Sequence, residues 1–309
     1  SDMEINRTGG QLLIESLRQQ GTDHVFCVPG ESFLSALDGL HGLESIRTVI
    51  CRQEGGAAMM ADAYGKLTHR PGVCFVSRGP GASNAASGIH IASQDSTPLV
   101  MFVGQIERST TGREAFQEID YRAMFGYAAK RVEQIEDVDR IPEVVSRAFH
   151  TAVNGRAGPV VVALPEDMLR DTTTAAPVEL FRHVEPAPSA AAIAEFEQRL
   201  NAARKPIMIV GGRGWRPDTK EKIQQFSEDW NLRVAAGFRF QDCVDNDHDN
   251  YIGELGLGTN PVLTDAIQTA DLLIVLGIRL GELTTAGYTL IDIPVPIQQL
   301  VHIYPGMEE

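Results

Sequence analysis

The chain has 309 residues, too many for one ordinary domain and enough for two. Hydrophobic residues make up 43% and charged residues 22%, the proportions of a globular protein with real cores. A net charge of -14 argues against nucleic-acid and membrane partners, whose anionic surfaces attract basic patches, although a single local site can still hold an anion.

No run is apolar for long enough to span a bilayer. The N-terminus lacks the basic flank and apolar core of a signal peptide, and Ser1-Asp2 ahead of Met3 read as an addition made for expression. Cys27, Cys51, Cys74 and Cys243 form no CxxC pair, and three of them lie in apolar, strand-like surroundings. Buried, reduced thiols in a cytoplasmic protein are the expectation.

In chain order, the apolar spacing of Leu12, Leu13, Ile14 and Leu17 predicts a helix from Thr8 to about Gln20, stopped by Gly21. A short apolar run at 24–28 then enters Pro29-Gly30 as a buried strand meeting a tight loop. Further strands are predicted at 46–50, 72–77, 98–104 and 159–164, with helices at 55–67, 83–92 and 138–153 between them. Continuous Val/Ile/Leu runs alternating with helices indicate a parallel sheet covered on both faces. Residues 172–188, rich in Thr and Pro, read as a linker between a first domain at 1–171 and a second at 189–309. The second has strands predicted at 206–210, 233–236, 271–277 and 299–304 and helices at 190–203, 219–230 and 261–269. The expected fold class is α/β, with two doubly wound parallel-sheet domains. The last strand runs straight into Pro305-Gly306, where a doubly wound domain normally continues into a helix, so a chain cut short is the expectation.

Several segments carry chemistry. Glu54 follows a strand and opens a helix whose first turns, Gly55-Gly56-Ala57-Ala58, are small enough for a flat ligand to approach. The plainer alternative is a helix-start carboxylate favoured by the helix dipole, and the local pattern alone favours it. The run Gly79-Pro80-Gly81-Ala82-Ser83-Asn84 reads as a glycine-rich turn between strand and helix, able to present N–H groups to a phosphate. It is not the dinucleotide fingerprint, and Pro80 removes a donor. Gly211-Gly212-Arg213-Gly214 could meet a nucleotide or only turn the chain. The acidic run 245–250 has metal-friendly residues without calcium-loop spacing, and a solvated loop is expected.

The segments in order are more specific than any one. They are Phe26-Cys27-Val28-Pro29-Gly30, Arg52-Gln53-Glu54 with Ala57-Ala58, Arg70-Pro71-Gly72-Val73, Gly79 to Asn84, Gly104-Gln105, and Ala115-Phe116-Gln117-Glu118. This array resembles the pyrimidine-binding domain of thiamine-diphosphate enzymes, and its Ala115–Glu118 segment is most similar to the acetolactate synthase branch. Lys205-Pro206-Ile207, Gly211-Gly212 and Gly277-Ile278-Arg279 resemble that family's central domain. The resemblance implies that Glu54 bonds the aminopyrimidine ring and promotes loss of the proton at C2 of the thiazolium, ahead of decarboxylation and ligation of 2-keto acids. It places Pro29, Gly30, Gly81 and Asn84 beside the cofactor, with Phe116 and Gln117 lining the cleft. It implies Mg2+ with the diphosphate, held by a third domain whose Gly-Asp-Gly signature does not occur here, so no metal ligand is expected in this chain. It implies a homodimer or homotetramer. It also raises a flavin question: acetolactate synthases hold FAD against the central domain, relatives hold ADP there or nothing, and Gly211, Gly212 and Arg279 are the candidate contacts.

Three departures stand out. Glu31-Ser32 follow Pro29-Gly30 where acetolactate synthases typically have glycine and alanine. Arg78 stands where they have serine, and Glu166-Asp167 stand where a lysine usually leads. An oxalyl-CoA or benzoylformate decarboxylase relative is therefore an alternative, and a non-catalytic nucleotide-binding module is a third.

Overall fold

A computed structural model describes residues 5–309, so the reading of Ser1-Asp2 lies outside the described residues. The chain divides into two units, Ser1–Val184 and Glu185–Glu309.

The first unit begins with β1 (Arg7–Thr8) and α1 (Gly9–Gln19). Thr8 caps α1 and Gln11 returns the bond to the Thr8 N–H, a reciprocal box that fixes where the helix starts. There follow β2 (His24–Cys27), α2 (Leu34–Leu40), β3 (Arg47–Ile50), α3 (Glu54–Thr68), β4 (Gly72–Val76) and α4 (Gly79–Gln94). The unit continues with β5 (Leu99–Gln105), α5 (Tyr121–Phe125), β6 (Arg131–Gln134), α6 (Ile141–Val153), β7 (Pro159–Pro165), α7 (Glu166–Arg170) and β8 (Thr172–Thr173).

Six strands form one parallel sheet in the order β3-β2-β4-β5-β7-β6. Alternate residues of the central strands feed opposite cores. Val73, Phe75, Val100 and Phe102 pack with α1 and α6, and the Phe75 and Phe102 rings stack 4.9 Å apart. Cys74, Val76, Met101 and Val103 pack with Ala58, Ala82, Ala85 and Ile89 of α3 and α4. Small residues let these two helices close up: a Cβ on Gly88 would meet the Ala58 Cβ at 2.4 Å. The sheet order reverses at β2, with β3 on one side and β4 on the other. Ligands of open α/β sheets sit beyond the carboxyl ends at such a switch point.

The stretch expected as a linker starts inside this unit. Thr172–Thr173 pair antiparallel with Arg7–Thr8, the Arg7 guanidinium donates to the Ala175 carbonyl, and Phe181 packs on the core. Such isolated anchor points leave no periodic pattern in sequence.

The second unit contains α8 (Ala190–Ala202), β9 (Pro206–Val210), α9 (Pro217–Asp229), β10 (Arg233–Ala236), β11 (Tyr251–Glu254), α10 (Pro261–Thr269), β12 (Leu272–Leu276) and β13 (Gln299–Ile303). Its parallel sheet runs β11-β10-β9-β12-β13, with the reversal at β9. Met208, Val210 and Ile274 pack with Leu200 of α8 and Phe226 of α9, while Ile207, Ile209 and Val275 pack with Leu263 and Ile267 of α10. Among the described residues no helix is long and apolar enough to cross a membrane. All four cysteines are buried and free, Cys243 included although its sequence setting is polar.

Candidate functional site

The carboxyl ends of β2, β3, β4, β5 and β7 deliver the candidate residues to one edge of the first sheet. Glu54 is the first residue of α3, but it does not cap the helix. Gln53 does, its side-chain oxygen accepting from the Gly56 N–H at 2.9 Å. The Glu54 carboxylate is thereby released from a structural task. It is half-buried, and its Oε2 accepts from Asn84 Nδ2 at 2.9 Å.

Gly81 borders the same carboxylate. A Cβ built on it would stand 3.5 Å from Glu54 Oε1 and 3.5 Å from the Ser77 Cβ. That is ordinary contact, so the protein itself would tolerate a methyl group. What glycine preserves is space beside an acid, which suits a flat ring bearing a basic nitrogen. Gly30 serves a closer approach: a Cβ there would come within 2.7 Å of the Ser77 Cβ. The loop after β2, with Pro29, thus meets the loop after β4 at the switch point, where Ser32 Oγ lies 3.1 Å from Ser77 Oγ.

The turn expected over Gly79–Asn84 is instead the start of α4, which begins at Gly79 with Pro80 in its first turn. The Gly81 N–H already donates to the Arg78 carbonyl at 2.8 Å, which leaves fewer donors for a phosphate than an open turn would offer.

Phe116 and Gln117 occupy the long loop after β5. The Gln117 carbonyl lies 3.0 Å from where a Gly79 Cβ would be, so this loop rests on the start of α4. Phe116 joins the site through its backbone, whose carbonyl accepts from Arg78 Nη1 at 3.5 Å, while its side chain is 78% exposed. Glu114 and Gln117 both have positive φ, 53° and 67°. Glu118 holds this strained loop, its two oxygens accepting from the N–H groups of Gly112 and Ala115 at 2.7 and 3.1 Å. Sequence reasoning gave Glu118 no role, and its place in the Ala115–Glu118 motif was the only signal. Tyr121, also missed, is buried and donates to the Gly104 carbonyl at 2.8 Å. Burial pushes its phenol up to about 12.

Among the described residues no group of three or more His, Cys, Asp or Glu could hold a metal ion. In the acidic run 245–250, Asp245 accepts from the Asp247 N–H at 3.0 Å, and His248 Nε2 lies 3.0 Å from Glu228 Oε1.

In the second unit Gly211 and Gly212 follow β9, and Gly277 follows β12 across the switch point. A Cβ on Gly212, whose φ is +88°, would fall 1.6 Å from the Gly277 carbonyl oxygen. These glycines let two loops touch, which accounts for them without a nucleotide. Arg279 pairs with Glu309.

Two models of one family match the chain. Residues 7–124 match the thiamine pyrophosphate enzyme N-terminal TPP binding domain, and residues 193–309 match the central domain of the same enzymes. The acetolactate synthase large subunit of Corynebacterium glutamicum is 31% identical over 300 residues, 96% of this chain and 47% of its own length. Acetolactate synthase of Mycobacterium bovis is 32% identical over 299 residues, 96% of this chain and 48% of its own. The isozyme 2 large subunit of Escherichia coli is 30% identical over 284 residues, 90% of this chain and 50% of its own. The chain spans about half the length of the curated relatives it matches.

Proposed function

The chain belongs to the thiamine pyrophosphate enzymes, and on that premise we propose that Glu54 activates thiamine diphosphate for acetolactate synthase-like chemistry on 2-keto acids. One observation carries the assignment: a carboxylate freed from capping by Gln53, gripped at Oε2 by Asn84, with Oε1 facing the space that Gly81 keeps clear. The aminopyrimidine would lie in that space, bordered by Pro29 and Gly30, with Gln117 and Phe116 toward the substrate. When bound, thiamine diphosphate supplies the electron sink for decarboxylating one 2-keto acid and joining the remainder to another. Glu54 holds and moves a proton at the ring nitrogen. Asn84 fixes the carboxylate's orientation, and the small first turns of α3 and α4 let the ring come close.

Residues 1–171 would form the pyrimidine-binding domain and 189–309 the central domain. The Mg2+ that accompanies the diphosphate is assigned to no residue described here. Gly211, Gly212 and Arg279 are the flavin candidates at the second switch point, although the contact between the two loops already accounts for the glycines. Four buried free thiols support a cytoplasmic setting. Self-association as a homodimer or homotetramer is supported by the exposed Ile50, Met59 and Met60 that flank Glu54.

The test is hydrogen exchange at C2 of bound thiamine diphosphate, followed by NMR in the full-length protein that contains this chain. Wild type should exchange far faster than Glu54→Gln. Equal rates would remove Glu54 from the activation step.

A further inference from the structure

Arg78 carries a charge that cofactor activation does not use. A guanidinium offers five N–H donors. Here Nη1 reaches the Phe116 carbonyl at 3.5 Å, Nη2 stands 3.9 Å from Glu166 Oε2, and the shielded Nε donates to no protein group. Its side chain is only 18% exposed. Arg108, on the same sheet edge, shows what a structural arginine looks like. Its Nε meets Asp167 at 2.8 Å, its Nη2 meets Asp171 at 2.7 Å, and its Nη1 donates to the Glu136 carbonyl at 2.6 Å. Arg108 is fully engaged, whereas Arg78 is held by two long contacts.

The position of Arg78 matters as much as its partners. It ends the loop after β4, three residues before Gly81 and the space beside Glu54. Glu166 starts α7 after β7, so two of the three departures from the acetolactate synthase pattern face each other across β5.

We propose that Arg78 recognises a second oxyanion, a carboxylate or sulfonate carried on the side chain of the 2-keto acid, and that the enzyme prefers such dianionic substrates. This inference rests on the thiamine-dependent reading above. The reacting carboxylate is a poor occupant, because it leaves as neutral CO2. A tight ionic grip on it would stabilise the substrate more than the transition state. A non-reacting oxyanion has no such conflict. A guanidinium binds planar oxyanions through two parallel, charge-assisted bonds of about 2.7–2.9 Å, so an incoming carboxylate outcompetes the loose contact with Glu166. Glu166 then serves as a counter-charge that the ligand displaces.

The test measures kcat/KM in the full-length enzyme for pyruvate, for 2-oxoglutarate as the carboxylate probe and for sulfopyruvate as the sulfonate probe. Wild type should prefer one dianionic acid over pyruvate, and the preferred probe identifies the oxyanion. Arg78→Ser should cut that preference by about tenfold to a hundredfold, the loss expected for one charge-assisted pair. Arg78→Lys keeps the charge without the fork and should lose part of it. Calorimetric binding of glutarate, which has no keto group, should weaken in Arg78→Ser by a similar factor. No dianion preference in wild type, a preference that survives Arg78→Ser, or an equal loss on pyruvate each overturns the proposal. Thiazolium C2 exchange in wild type without substrate separates the two readings. Exchange without dianion preference sinks the role of Arg78 alone, and absence of exchange sinks both.

Discussion

The two units solve the same architectural problem differently. Each is a parallel sheet whose order reverses at its first strand, β2 or β9, and each brings chain segments with glycines together at that reversal. In the first, Gly81 withholds a side chain from a space bounded by Glu54 and Ser77, where a Cβ would fit at 3.5 Å. In the second, Gly212 withholds one from a position already filled by the Gly277 carbonyl, 1.6 Å away. At Gly81 the position beside the carboxylate is left open, whereas at Gly212 the backbone has taken it. Glycine-rich loops look alike in sequence, and the surroundings of the absent Cβ tell them apart.

The largest effect should come from Glu54. Glu54→Gln keeps the shape and the Asn84 contact within reach but removes the acid. Turnover in the full-length enzyme should fall by about a hundredfold to ten-thousandfold, as when a positioned proton-transfer group is lost. Steady-state assays with saturating cofactor measure it, and near-wild-type turnover would dissolve the distinction between the two sheet edges.

Gly212→Ala and Gly81→Ala sharpen the same contrast in opposite directions. Gly212→Ala forces a side chain onto a +88° φ and into a carbonyl, so the second unit should lose about 3 kcal/mol or more. Gly81→Ala meets only ordinary contacts, so stability should change by less than about 1 kcal/mol. Its cost should instead appear as weaker cofactor binding, because the new methyl group occupies the space beside Glu54. Urea unfolding and cofactor titration of both variants provide the measurement. A Gly81→Ala protein that binds cofactor normally would show that the space is not the ring's.

Much of this was legible in sequence because central strands are buried on both faces and read as apolar runs. Pro159–Pro165, Pro206–Val210 and Arg233–Ala236 all lie where their composition puts them. Two edge strands were not legible. Arg131–Gln134 and Tyr251–Glu254 each pair on one side, are only partly buried and carry mixed residues, so no run or alternation betrays them. At the site, the ordered motifs single out Glu54, yet they do not reveal that Gln53 does the capping. The facing of Arg78 and Glu166 was also hidden, because it arises only when β5 lies between β4 and β7.

One acid in each unit, Asp271 and Asp23, is held differently, and this gives the smallest effect. Asp271 in the second unit accepts from the backbone N–H groups of Arg204 and Lys205 at 2.6 and 2.9 Å. Asp23 in the first is held by side chains: Tyr64 at 2.5 Å, His24 at 2.9 Å and Arg70 at 3.0 Å. Burial acts to raise the Asp23 pKa, but these three hydrogen bonds outweigh it and hold the carboxyl well below its usual range. The same burial, reinforced by Asp23, pushes the Tyr64 phenol up to about 12. An acid whose folded pKa is depressed binds fewer protons in the native state than in the unfolded chain. Its contribution is therefore complete above the unfolded value of about 4 and is lost as pH falls toward the folded value. The Asp23 side chain is 46% exposed, so solvent screening should keep the contribution to about 1 kcal/mol or less. Asp23→Asn should lower the urea midpoint of the first unit at pH 7, and the gap from wild type should narrow as pH drops below about 4. A gap that stays constant down to about pH 3 would show that the cluster stabilises the fold through packing and neutral hydrogen bonds, not through the charge on Asp23.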